Sequence, residues 1–318
     1  MAVRDLKDGA TGTVTVLVRD LERRRKRDGS EYLRLVLADR TGTLQAVMWD
    51  GVPDAAPLCR VGEPLHVSGL YSVHPRFGPQ LVVGAVHPCA PGEAALEELV
   101  DGPVRTRDAL EADLRDLVAT VREPHLRFLL EALLGERSAT WAAYRDAPAA
   151  KHNHHAYRHG LLEHSLSVAQ TVSTIAATFP GIDRDIAVTG ALLHDIGKLD
   201  AYAAAGLAIE MTDAGKLQGE IALGYYAVRR AVDGIDGFPP RLAQAVLHVI
   251  LSHHGTLEHG SPVVPCTREA TLVHTIDNLG GKLGSFDRLE KELADGQQWS
   301  GFDRALGSGA YFATPQAA

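Results

Sequence analysis

The chain has 318 residues, 45% of them hydrophobic and 23% charged, with a formal net charge of −8 at pH 7. That length suffices for two domains with their own cores, and no run approaches the roughly 20 apolar residues of a membrane span. The opening MAVRDLKDGA lacks the apolar segment of a signal peptide, and three scattered cysteines (Cys59, Cys89, Cys266) form neither a disulfide framework nor a CxxC zinc site, so a reducing cytoplasm is expected.

Charge is unevenly shared. Residues 1–90 hold 12 Lys and Arg against 10 Asp and Glu, which leaves −10 on the remainder. The dense basic run is RRRKR, formed by Arg23, Arg24, Arg25, Lys26 and Arg27. On an acidic chain this run is either a solvated turn or a local contact for phosphates.

Residues 10–88 read as five short strands, TGTVTVLVRDL, EYLRLVLADR, TLQAVMWD, EPLHVSGLYSV and GPQLVVGAVH. They are rich in β-branched residues and roughly alternating, and turn chemistry at Asp28-Gly29, Thr41-Gly42 and Pro75 to Gly78 separates them. Five short strands in so few residues predict a small closed barrel of the OB type. Residues 1–90 are therefore expected to be an OB-fold nucleic-acid-binding domain, with the basic run in its first hairpin. Tyr32, Trp49, Tyr71 and Phe77 could offer stacking faces to bases, although strand aromatics are more often core.

The pattern changes around PCAPGE, and residues 91–150 read as a helical linker region. There Leu110, Leu114 and Leu117, then Leu126, Leu129, Leu130 and Leu133, recur at helical spacing on either side of Pro124. Residues 151–307 form the second domain, an all-α bundle, and residues 308–318 are expected to be a flexible tail. The fold class is multidomain, α and β: a five-stranded barrel followed by a helical bundle.

Four amphipathic segments of the second domain each carry a metal-capable residue where a hydrophobe belongs. His164 falls on the stripe Leu161, Val168, Val172, Ile175, and DIAVTGALLHD ends in His194 and Asp195. The face Val246, Val249, Ile250 continues to His253, and the face Ala270, Val273 continues to Asp277. One such histidine is usually a satisfied core residue. Four stripes doing this together, with two buried carboxylates and no Arg or Lys on the same stripes, call for a bound cation. Mixed nitrogen and oxygen ligation without thiolate suits Mn2+, Fe2+, Co2+, Mg2+ or Zn2+ with open positions, one or two per chain, Mn2+ first among them.

The order His164, His194-Asp195, Asp277 resembles the HD-domain metal-dependent phosphohydrolases. The blocks HHAYRHGLLEHSLSV, LLHDIGK, GKLQGEI, LSHHG and HTIDNLGGKL, after an OB-like domain, are similar to those of the YhaM-type 3'-5' exoribonucleases. That resemblance implies a core metal quartet of His164, His194, Asp195 and Asp277, with Asp195 able to bridge a second ion. It implies that His253 and His254 help to hold that ion, and that Lys198 meets a phosphate oxygen. It also implies a phosphate-contacting set of His154, His155 and Arg158, which as a structural alternative cap the following helix. Two positions depart from the pattern. Glu220 stands where a histidine is expected, and Gly280 where an aspartate often follows IDN. Glutamate can ligate a hard cation, so either Glu220 preserves the second site with altered preference or one tight metal remains.

The expected function is hydrolysis of single-stranded RNA from the 3' end to nucleoside 5'-monophosphates, with single-stranded DNA as a further substrate. Asp195 and Lys198 would be the catalytic residues, with Arg23 to Arg27, Tyr32 and Trp49 as strand contacts. No membrane partner is expected, and a homo-oligomer is compatible with the sequence. Two alternatives stand beside this reading. One is an HD-type nucleotidase or cyclic-nucleotide phosphodiesterase, which has no use for a strand-holding domain. The other is a non-catalytic nucleic-acid-binding protein with a decayed site.

Overall fold

A computed structural model describes residues 1–74, 78–90, 99, 102–103, 105–151, 155–205, 208–293 and 296–313. The first half is a closed barrel of β1 (Thr11–Arg25), β2 (Glu31–Asp39), β3 (Gly42–Met48), β4 (Pro64–His74) and β5 (Gly78–Pro88), hydrogen-bonded in the order β1-β2-β3-β5-β4. β4 returns to β1 and closes the ring; every pairing is antiparallel except β3 with β5. Alternation explains its core. In β2, Leu33, Leu35 and Leu37 point inward and are fully buried, while Arg34 faces water. A short helix, α1 (Val52–Ala55), closes one end through Val52 and Ala55.

β1 is longer than its alternation predicts, because its last residues pair with β2 through Arg23–Leu33, Arg24–Tyr32 and Arg25–Glu31. Three arginines of the basic run are thus strand residues, and the turn begins at Lys26.

The second half is helical. α2 (Arg107–Ala119) starts on a Thr106 cap, and α3 (Pro124–Leu134) starts on Pro124 with the Glu123 carboxylate accepting from the Leu126 N–H. α4 (Trp141–Asp146), α5 (Gly160–Ala176) and α6 (Arg184–Leu193) follow, then α7 (Lys198–Ala201). A two-stranded hairpin, β6 (Tyr202–Ala205) with β7 (Ala208–Met211), leads to α8 (Asp213–Gln218). α9 (Glu220–Asp233), α10 (Pro240–Ser252) and the long α11 (Arg268–Glu292) complete the bundle. α6 lies at its centre against α5, α10 and α11, and so is buried on all sides from Ala187 to Leu193. Barrel and bundle have separate hydrophobic cores.

The structure corrects a further expectation. The bundle half is not all-α, since β6 and β7 interrupt it. The described part of the tail, residues 308–313, folds back on the residues before it. Ser308 bridges to Asp303 and Tyr311 to Trp299, while Phe312 packs edge-on to Phe286 of α11. Residues 314–318 lie outside the described residues. Among the described residues no helix is long and apolar enough to cross a membrane.

Candidate metal centre

α6 and α10 end in the same way, and both endings face one cleft. His194 follows Leu193, and its ring Nδ1 lies 2.7 Å from the Ala191 carbonyl. His253 follows Ser252, and its Nδ1 lies 2.8 Å from the Ile250 carbonyl. Each imidazole therefore donates Nδ1–H to an orphan carbonyl of the last helical turn and, when neutral, presents Nε2 as a bare lone pair. His254 does the same through the His259 carbonyl, at 2.9 Å.

The remaining groups arrive from α5, α9 and α11. His164 Nε2 lies 3.2 Å from His194 Nε2, 3.3 Å from Asp195 Oδ2 and 3.1 Å from Asp277 Oδ1. On the other side of Asp195, its Oδ1 stands 3.6 Å from His253 Nε2, too far for a hydrogen bond. Glu220, the first residue of α9, brings Oε1 to 3.4 Å from His254 Nε2. Two sets of donors result, His164, His194 and Asp277 in one and Glu220, His253 and His254 in the other, each with its ligand atoms within 4.8 Å of one another. Asp195 faces both, with Oδ2 toward the first and Oδ1 toward the second.

These residues fit a divalent cation. Asp195 Oδ1 and His253 Nε2 are buried and have no hydrogen-bond partner among the described residues. Such orphans are costly unless something electrophilic lies between them, and imidazole nitrogens with carboxylate oxygens are ligands for a borderline or hard divalent ion.

Without the ion, protons do part of its work. Burial would lower the basicity of His164, but the hydrogen bonds it donates to the Asp195 and Asp277 carboxylates outweigh this and raise its pKa to about 9. His253 is pushed up in the same sense, burial again opposing and Asp195 prevailing. Asp277 and Asp195 are held well below the usual carboxylate range against their burial, Asp277 by His164 and His194, Asp195 by Lys198 and His194.

Lys198 is the main surprise. Its ammonium donates to Asp195 Oδ2 at 2.6 Å, so a lysine one turn on neutralises part of the buried charge that the stripes alone left unpaired. It also lines a cavity of about 850 Å³ that opens over both donor sets.

The other expected contacts divide. His154 lies outside the described residues. His155 stands with its ring 5.6 Å from that of His164, whereas Arg158 is turned outward to Asp146 at 3.1 Å; neither is among the residues lining the cavity. Neither caps α5, whose N-cap is His159 in the left-handed region at φ 71°. On the barrel, Tyr32 and Trp49 stack at 4.8 Å, with Lys26 over Trp49 and bonded to its carbonyl. Arg24 pairs with Glu22 and Arg25 lies 3.8 Å from Glu31, which leaves Arg23 and Arg27 as the members of the run without an ion pair among the described residues. Tyr71 packs partly buried on the barrel core, and Phe77 lies outside the described residues.

Sequence reasoning missed several lining residues. His274 precedes Asp277 by one turn and bonds His253's carbonyl through Nδ1 at 2.7 Å; its i−3 spacing in HTID was the available signal. Lys282 and Arg288 on α11, and Arg304 beyond it, line the same cavity without any periodic signature.

Residues 161–281 match the family described as HD domain, and residues 12–88 match the OB-fold nucleic acid binding domain. The chain is 29% identical over 274 residues to a 3'-5' exoribonuclease YhaM of Halalkalibacterium halodurans, covering 85% of this chain and 83% of the relative. It is 29% identical over 292 residues to the protein of the same name from Geobacillus sp., covering 89% and 86%. Among solved structures, the second OB-fold domain of replication protein A from Methanococcus maripaludis matches 28% of this chain and 92% of that chain, at 20% identity and a TM-score of 0.24.

Proposed function

We propose that this chain, an OB-fold nucleic acid binding domain joined to an HD domain, is a metal-dependent 3'-5' exoribonuclease that shortens single-stranded RNA and releases nucleoside 5'-monophosphates. The observation that carries the reading is Asp195, buried between two sets of donors with one oxygen toward each. A phosphodiester hydrolase needs one position for the electrophile's oxygen and one for the attacking water, and a carboxylate facing both sets them side by side.

A divalent cation bound there supplies Lewis-acid polarisation of the phosphoryl oxygen and acidifies water. The protein's own groups do the rest. His194 and His253 are fixed in orientation by the carbonyls they cap, so their lone pairs need no reordering when the cation arrives. Lys198 holds Asp195 in place and is the cation nearest to where charge develops on a phosphoryl group. Glu220 gives the second set a carboxylate, which favours an oxygen-seeking ion, so Mn2+ is the metal we propose, with two ions per chain.

The similarity to relatives named 3'-5' exoribonuclease supports this reading over the mononucleotide alternative, as does the barrel, whose strand-facing surface a mononucleotide would not use. The test is chromatography of the products after metal-stripped protein is given single-stranded RNA with Mn2+ restored. Nucleoside 5'-monophosphates are expected, and intact RNA would refute the proposal.

A further inference from the structure

Beyond α11 the chain folds back on itself in a ladder that the metal chemistry leaves unexplained. The Ser300 N–H donates to the Ala310 carbonyl at 2.9 Å, Phe312 to Gln298 at 2.7 Å, and Asp303 to Ser308 at 3.0 Å. Three of its four large aromatic residues point into water: Trp299 is 63% exposed, Phe302 74% and Tyr311 51%. Trp299 and Tyr311 face each other across the ladder with ring centroids 5.1 Å apart. The pair supports the ladder, but the faces that Trp299, Phe302 and Tyr311 turn to solvent bury nothing in the fold.

The same hairpin is tied firmly to the helix that carries Asp277. Arg288 of α11 donates to Asp303 at 2.5 Å, and Phe286 packs against Phe312. Asp303, Arg304 and Ala305 at its turn form part of the cavity wall, together with Lys282. Among the described residues neither Lys282 nor Arg304 has an ion-pair partner, so two cations on an acidic half of the chain are left to face a ligand. Asp277 and Arg288 are separated on α11 by roughly 16 Å of helix rise.

From this we propose that residues 298–312 are a base-stacking platform for single-stranded RNA, receiving the nucleotides a few positions behind the 3' end while Lys282 and Arg304 meet their phosphates. The inference rests on the exoribonuclease reading and adds a second strand contact to it, separate from the barrel. Exposed aromatic faces on a hairpin whose turn brings Arg304 to the cavity wall, with no carboxylate partner for Lys282 or Arg304 among the described residues, match a strand of bases and phosphates.

The test uses the full chain in EDTA, so that RNA is bound and not cut, with a ten-nucleotide oligoadenylate as probe. Binding should quench tryptophan fluorescence in the native protein and much less in Trp299→Phe, which leaves Trp49 and Trp141 in place. The double variant Trp299→Ala/Tyr311→Ala should lose roughly tenfold or more in affinity, the loss expected for one to two stacked bases. The proposal is overturned if the double variant binds within twofold of native, if quenching in Trp299→Phe is as large as in the native protein, or if the native protein does not bind the oligomer. It is equally overturned if sedimentation shows the double variant losing self-association with RNA affinity unchanged, which assigns the face to a second copy of the chain. Because binding is read without metal, failure of the hydrolytic reading appears separately, as intact RNA when Mn2+ is added to the native protein.

Discussion

Among single residues, Asp195 joins the two donor sets. Its Oδ2 is held by Lys198, while its Oδ1 has no hydrogen-bond partner among the described residues and stands 3.6 Å from His253 Nε2. Asp195→Asn should reduce metal-dependent hydrolysis by more than about 100-fold, since even residues that only orient a ligand cost 10–100-fold when removed. It should also destabilise the metal-free protein by about 1–3 kcal/mol, because the mostly buried Lys198 loses its carboxylate partner, and Asp195→Asn/Lys198→Met should recover most of that loss. Thermal unfolding in EDTA checks this, and equal stability of the single and double variants would contradict it. His164 gives a pH signature. Its pKa is raised to about 9, so in the metal-free protein its proton contributes stability fully below about pH 6.5, and that contribution is lost as pH rises through 9. A cation must expel that proton. Mn2+ affinity measured by calorimetry should therefore climb by up to about tenfold per pH unit between 7 and 9 and then level off. A flat profile would mean that His164 is not a ligand.

At the scale of elements, the site is a consequence of how helix ends meet. Gly197 follows the His-Asp pair, and a Cβ there would lie 1.9 Å from the Glu220 carbonyl and 2.4 Å from the Gly224 N–H. That glycine lets the turn after α6 touch the first turn of α9, and so brings Glu220 to the second donor set. Gly197→Ala should destabilise the protein by about 1–3 kcal/mol and weaken Mn2+ activation more than it weakens folding, because α9 must retreat. A Mn2+ titration on the folded variant reads this, and an unchanged activation curve would show that Glu220 does not need that contact. Four of the donor-bearing segments were legible because a polar residue on an apolar stripe breaks a pattern. Glu220 was legible only as a departure from a resembling motif. It opens a helix after a glycine, in a segment whose small hairpin and short helices are too brief to show a period. His259 and Arg304, on irregular segments, and Lys282, on a half-exposed helix face, carry polar residues where polar residues are ordinary, so nothing in the sequence singled them out.

At the scale of the whole molecule, the barrel was read from alternation and turn residues, and its closure through parallel pairing of β3 with β5 fits five strands of that length. The exposed end of β1 was not, because RRRKR has no alternation and its pairing with β2 depends on Tyr32 and Glu31 across the ladder. Residues 308–318 were expected to be a flexible tail because chain ends are usually loose, and the anchors of the hairpin they join, Arg288 to Asp303 and Phe286 to Phe312, have no local signal. The pairing of the basic run predicts an uneven effect of charge. Arg23→Glu/Arg27→Glu should weaken RNA binding and lower the slope of log affinity against log salt by about 1–2. Changing Arg24 and Arg25, already engaged by Glu22 and Glu31, should do less. Equal salt slopes for both pairs would remove the barrel hairpin from the strand path.

The central claim, a metal-dependent exonuclease working from the 3' end, is tested most directly by following one single-stranded RNA labelled in turn at each end, with Mn2+ and with EDTA. The 5'-labelled strand should shorten through a continuous ladder while the 3'-labelled strand releases its label at once as a mononucleotide, and EDTA should stop both. Mononucleotide released first from the 5' label, discrete internal fragments, or degradation that persists in EDTA would contradict it.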